Sequence, residues 1–189
     1  MNRGKLIVLS GPSGCGKNTV YEGLCARIPS LAQTVSATTR APREGETDGV
    51  DYYFLTRAQF ERRLKDGEFV ESVKYGNHYY GTLKSEIRRL TGQQKTVVLI
   101  IEVNGAENIK KAFPDAVTVF IMPPSPEVLR QRIAKRGEMD EAELCQRLEI
   151  AEKEMARARD FDHCVVNDDL ETCINNIYDI ITVKGDDNL

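Results

Sequence analysis

The chain has 189 residues, a formal net charge of −3, and an ordinary share of apolar and charged residues. That is enough for one α/β domain with a full core and small inserted lobes. The acidic balance argues against a general nucleic-acid binder, and no apolar run approaches the ~20 residues of a membrane-spanning helix, so no nucleic acid and no membrane are expected as partners.

The first element is the apolar run Leu6 to Leu9, which reads as a buried strand. It ends in Gly11-Pro12-Ser13-Gly14-Cys15-Gly16-Lys17, after which Val20, Leu24 and Ile28 recur at helical spacing. G-x-x-x-x-G-K between a strand and a helix is the pattern of a phosphate-binding loop. Its glycines let the backbone aim several N–H groups at one point. The helix N-terminus adds partial positive charge, and Lys17 supplies a mobile ammonium for β- and γ-phosphates. A polyphosphate is therefore the first expected ligand. The position after the lysine usually holds a magnesium-ligating hydroxyl; here it is Asn18, with Thr19 next. Magnesium is expected at Asn18 or Thr19, directly or through water. Cys15 is read as a small residue at a variable loop position, with a redox role as the weaker alternative.

Residues 33 to 90 break the strand–helix rhythm. They hold short alternating segments at Asp51–Leu55 and Phe69–Val73, turn residues, and two expected helices, Ala58–Lys65 and Leu83–Leu90. This is read as an inserted small α+β lobe. Within it Arg40 and Arg43 are two bidentate forks able to hold a monophosphate dianion, and Tyr52 and Tyr80 can each donate a phenolic hydrogen bond to it.

Beyond the lobe, Val97–Val103, Val117–Met122 and Cys164–Val166 are apolar runs without alternation, as expected of parallel strands covered on both faces. Helices are expected over Gly105–Ala112, from a Ser125 cap and Pro126 to about Arg136, and over Leu170–Val183. Another is expected from Asp140, whose spacing to Glu143 resembles a capping box, to about Arg159, with Leu144, Leu148, Ala151 and Met155 on one face. The alternation implies a parallel sheet with helical crossovers. Residues 137 to 158 read as a mobile cover, and the tail from Lys184 as frayed. The five cysteines form no C-x-x-C pair and the two histidines show no ligand spacing, so free thiols in a cytoplasmic protein without a structural metal are expected.

The lobe carries the most specific motifs. Ser36-Ala-Thr-Thr-Arg40-Ala-Pro-Arg43-Glu-Gly-Glu46, then Gly49-Val-Asp-Tyr52-Tyr-Phe54, then Gly76-Asn-His-Tyr-Tyr80-Gly81-Thr82 closely resemble guanylate kinase, the nucleoside monophosphate kinase family that converts GMP and ATP to GDP and ADP. The resemblance covers essentially the whole chain. It implies an α/β fold: a three-layer P-loop kinase core with a parallel sheet (residues 1–32, 91–136 and 159–189), a GMP-binding lobe (33–90) and a helical lid (137–158).

Residue by residue, the resemblance implies ATP with Mg2+ on the loop from Gly11 to Thr19, with Asn167 near adenine. It implies that Arg132, Arg136 and Arg147 close on the phosphates, the first two as ATP contacts. Arg40, Arg43, Tyr52 and Tyr80 take the GMP phosphate, and Gly81 joins that site. Glu71 and Glu102 face guanine, whose adjacent N1–H and N2–H donors suit a carboxylate, with the Ser36 and Thr82 hydroxyls beside the base. Lys17, Arg40, Arg43, Arg132, Arg136 and Arg147 are the expected catalytic residues. Two positions depart from the family pattern: Ile100 stands where many relatives carry the first of two acids, and Asn104 replaces a glutamine. Two other readings are a catalytically inactive guanylate kinase-like module that binds protein partners, and a P-loop kinase for another mononucleotide. The retained Gly16 and Lys17 argue against the former, and Glu71, Thr82 and the arginine pair against the latter.

Overall fold

The structure, a computed structural model, describes residues 4–135 and 140–182. In chain order the elements are β1 (Leu6–Ser10), α1 (Lys17–Arg27), β2 (Leu31–Gln33), β3 (Ala37–Thr38), β4 (Tyr53–Phe54), α2 (Arg57–Lys65), β5 (Phe69–Tyr75), β6 (His78–Leu83) and α3 (Lys84–Gly92). They continue with β7 (Thr96–Ile100), α4 (Val103–Ala112), β8 (Val117–Met122), α5 (Pro126–Ala134), α6 (Glu141–Met155), a 3-10 turn (Ala158–Asp160), β9 (His163–Val166) and α7 (Leu170–Thr182).

The larger sheet is parallel throughout, in the order β2-β7-β1-β8-β9. Successive residues of β1 point to opposite faces, yet all five are buried. Ile7 and Leu9 pack with Val20 and Leu24 of α1 and Ile174 and Ile177 of α7. Leu6 and Val8 pack on the other side with Ile87 and Leu90 of α3 and Ile109 of α4. Helices on both faces explain why β1 reads as an unbroken apolar run. Each fully buried Ile or Leu contributes roughly 1.5–3 kcal/mol. A glycine inside a helix normally weakens it, but Gly23 of α1 has a reason: a Cβ there would lie 2.3 Å from Ile174 Cδ1, so the glycine lets α1 and α7 pack closely.

The second sheet, β4-β3-β6-β5, is mixed: β3 and β4 are parallel, and β6 runs antiparallel to both β3 and β5. It has its own small core of Ala37, Phe60, Phe69 and Leu83, with the Phe60 and Phe69 rings stacked at 4.3 Å. A full capping box starts α2: Thr56 Oγ1 accepts from the Gln59 N–H while Gln59 Oε1 accepts from the Thr56 N–H.

Several boundaries differ from the sequence expectation. The short half-buried β2 carries no clear periodic signal and went unexpected. β7 stops at Ile100, not Val103, and α4 begins at Val103, two residues before Gly105. The apolar run continues past the strand because Ile101 packs on the sheet core while Val103 turns into a second cluster with Phe120. α6 ends at Met155 rather than near Arg159, and α5 at Ala134. β9 is an edge strand exposed at three of its four residues, so it is not covered on both faces. Asp140 caps α6, its Oδ1 accepting from the Glu143 N–H at 2.7 Å. Arg136, Gly137, Val183 and the tail lie outside the described residues. Among the described residues no helix is long and apolar enough to cross a membrane.

Candidate active site

The loop after β1 is shaped by close approaches. Gly11 has φ +142°, and a Cβ there would sit 2.3 Å from the Ile121 carbonyl oxygen of β8. Gly16 has φ +99°, with its Cβ position 2.5 Å from Asn167 Nδ2. Both conformations and both clearances need glycine. Asn167, only 5% exposed, donates through Nδ2 to the Cys15 carbonyl at 2.8 Å, and its own backbone N–H bonds Met122 O. Asn167, the residue expected beside adenine, braces the loop backbone through this bond. Lys17 Nζ donates to the Gly11 and Pro12 carbonyls at 2.6 and 3.1 Å. Cys15 is fully buried in the sheet core, and burial beside it pushes the Cys173 thiol up to about 11. These features agree with Cys15 as a small packed residue.

Arg132 reaches the same region from α5: Nη2 donates to the Asn167 carbonyl at 3.1 Å, while Nη1 is buried without a partner among the described residues. An unmet buried guanidinium donor costs roughly 1–3 kcal/mol, so an anion or water there is favoured. Asn18 and Thr19 are exposed on the first turn of α1, offering a carbonyl oxygen and a hydroxyl. Among the described residues no three His, Cys, Asp or Glu side chains group as a metal site. Two hard oxygen donors without a protein cage fit a magnesium ion bound largely through phosphates and water.

A cavity of about 320 Å3 opens between the small sheet and the end of β7 with the start of α4. Its wall includes Ser36, Tyr52, Glu71, Tyr80, Gly81, Ile100, Glu102 and Asn104. Gly81 is where β6 meets β5 tightly: a Cβ would be 2.9 Å from the Glu71 carbonyl oxygen and from the Phe69 ring. Thr82, 1% exposed, donates its hydroxyl to Glu71 Oε1 at 2.7 Å. Burial pushes the Glu71 carboxyl above its ordinary range; the Thr82 bonds oppose this and nearby Glu102 adds to it. Glu102 stands at the N-cap position of α4 without capping it.

Arg40 lies over the rings of Tyr52 and Phe54, 5.4 and 5.8 Å from their centroids, and Tyr52 meets Tyr80 edge-on at 6.1 Å. It is paired with Glu46 through both Nη atoms. The Arg43 side chain is exposed, its backbone N–H bonded to Glu46. The structure thus brings Arg40, Tyr52 and Tyr80 together. Arg147, by contrast, sits in an exposed ion pair with Glu143, one turn back on α6.

Two acids with a bearing on the site had no role in the sequence reading. Glu46 lay inside a quoted motif, but only the fold shows what it holds. Glu154 of α6 had no motif at all. It shares a cavity of about 370 Å3 with Glu102 and Asn104, and its carboxyl is raised to about 7 by burial, then by Glu102, against the pull of Lys17.

A family model described as guanylate kinase matches residues 3–184. A guanylate kinase of Trichormus variabilis is 47% identical over 92% of this chain and 87% of its own length. That of Carboxydothermus hydrogenoformans is 41% identical over 97% of this chain and 90% of its own. Among solved structures, the guanylate kinase of Anaplasma phagocytophilum superposes with a TM-score of 0.71 at 32% identity, covering 95% of this chain and 85% of that one.

Proposed function

The chain belongs to the guanylate kinase family, and from that premise we propose how it transfers the γ-phosphoryl group of ATP to the phosphate of GMP, giving ADP and GDP. The observation that carries the site assignment is the 320 Å3 cavity, whose wall joins two phenols to two acids and lies beside Arg40. We assign GMP to this lobe, residues 33–90. ATP is assigned to the loop from Gly11 to Thr19, with Arg132, Arg136 and the backbone that Asn167 braces. Residues 137–158 are assigned as the lid, with Arg147 turning inward on closure.

In this reading Glu71 accepts from guanine N1–H and N2–H, with Glu102 and Ser36 beside the base. Thr82 acts through Glu71. Adenine lacks this donor pair and would leave the second Glu71 oxygen unpaired or opposed by a lone pair, and sites built on such polar pairing reject analogues by ~10⁴–10⁵. Arg40, Arg43, Tyr52 and Tyr80 hold the acceptor phosphate. With a second pKa near ~6 that phosphate is largely dianionic at neutral pH, so no general base is needed. The chain's work is positioning and charge stabilisation. Lys17, the loop N–H groups and Arg132 neutralise the transferring phosphoryl, and closure excludes water. Asn18 or Thr19 would hold magnesium, directly or through water, and the bound ion would supply further charge neutralisation.

The test is ADP release with ATP and magnesium, comparing GMP, AMP, UMP and no acceptor. Turnover confined to GMP is expected. Turnover with another base would overturn the Glu71 assignment, and none with any acceptor would favour a protein-binding module.

A further inference from the structure

An arginine has five N–H donors in one plane. In Arg40, Nη1 and Nη2 donate to the two Glu46 oxygens at 2.9 and 2.7 Å, an end-on fork, and Nη1 gives its other hydrogen to the Ala41 carbonyl at 2.8 Å. The two donors left by these bonds, Nε–H and the second Nη2 hydrogen, share the adjacent edge, and the Tyr80 phenol also interacts with this guanidinium. They form a second fork, with the geometry that takes two oxygens of a phosphate. The Tyr52 and Phe54 rings lie against the guanidinium and oppose its rotation. Glu46 Oε2 also accepts from the Arg43 backbone N–H at 2.7 Å, and the Glu46 N–H returns to the Arg43 carbonyl at 3.1 Å. One carboxylate therefore fastens the side chain of one arginine and the backbone of the other. The pair is only 14% and 19% exposed, unlike an ordinary surface ion pair.

Resting on the reading that Arg40 and Arg43 hold the acceptor phosphate, we infer that Glu46 is a positioning residue for phosphoryl transfer. It presents the remaining edge of Arg40, together with the Tyr80 phenol beside it, to that phosphate and ties Arg43 to the same point, without touching the nucleotide. Hydrogen bonds from Arg40 and from the Arg43 backbone hold its carboxyl down at about 2, so this arrangement persists across neutral pH.

Positioning and plain attraction predict opposite signs. Glu46→Gln removes a negative charge beside a dianion, so attraction alone predicts tighter GMP binding. It also puts an amide NH2 against a guanidinium donor and breaks the fork, so positioning predicts weaker binding. The experiment titrates wild type, Glu46→Gln and Glu46→Asp with GMP and with guanosine, and measures KM for ATP. The expected result for Glu46→Gln is a loss of about tenfold to a hundredfold in GMP affinity, with guanosine affinity and KM for ATP within about twofold of wild type. Glu46→Asp, charged but shorter, falls between. Unchanged or tighter GMP binding by both variants overturns the inference. So does an equal loss for GMP and guanosine, which would mean a collapsed lobe. If wild type itself does not prefer GMP to guanosine, the assignment of Arg40 and Arg43 fails, and this inference with it.

Discussion

The loop after β1 and the small-sheet lobe are built by different means. The loop uses backbone: glycines at positive φ lie against Ile121 and Asn167, and few side chains are involved. The lobe uses side chains that are first paired to acids, Arg40 to Glu46 and Thr82 to Glu71. A backbone cradle is indifferent to which nucleoside follows the phosphates. A cavity lined by paired side chains can be selective, at the cost of depending on each pair. Substitutions should therefore sort by region.

The sharpest break is expected from Lys17→Ala, which should lower kcat by ~10³-fold or more while GMP affinity, read by titration, stays near wild type. A comparable loss of GMP binding would erase the distinction between the two sites. Asn167→Asp sets a carboxylate against the Cys15 carbonyl; it should cost about 2–3 kcal/mol, seen as a fall in Tm, and raise KM for ATP with little change for GMP. On the other side, Thr82→Val removes the donor that favours the ionised Glu71. It should raise KM for GMP about tenfold and leave KM for ATP alone. Because Glu71 is already raised above the ordinary carboxylate range, GMP affinity should fall as pH drops through its pKa. In Thr82→Val that fall should begin at higher pH.

The smallest effect tests where the regions meet, at Glu154. Its carboxyl is raised to about 7 in the fold, so its ionised form weighs against folding. The weight grows as pH rises from the ordinary carboxylate range through about 7 and is absent below that range. Glu154→Gln should therefore add about 1 kcal/mol at pH 8, reduced from the full shift because the group is half exposed. The gain, read as a Tm rise of about 2–4 °C, should vanish near pH 4.

The loop was legible because its chemistry is local: two glycines and a lysine at fixed spacing between a strand and a helix specify it. The arginine pair and Glu71 were legible as motif positions. Their supports were not. Glu46, Thr82 and Asn167 are hydrogen-bonded to Arg40, Glu71 and the Cys15 carbonyl, and a linear pattern does not say which partner a buried side chain will meet. The end of β7 was hidden for a related reason. Ile101 and Val103 are apolar because they enter different clusters, not because the strand continues.

The brace under the loop should also order events during synthesis. The backbone at Cys15 is held by Asn167, 152 residues later, and α1 seats on α7 through Gly23 and Ile174. The nucleotide cradle near the start of the chain is thus completed by its last quarter. A nascent chain carries the whole loop motif early, yet should gain ATP affinity only after Asn167 and Ile174 have left the ribosome.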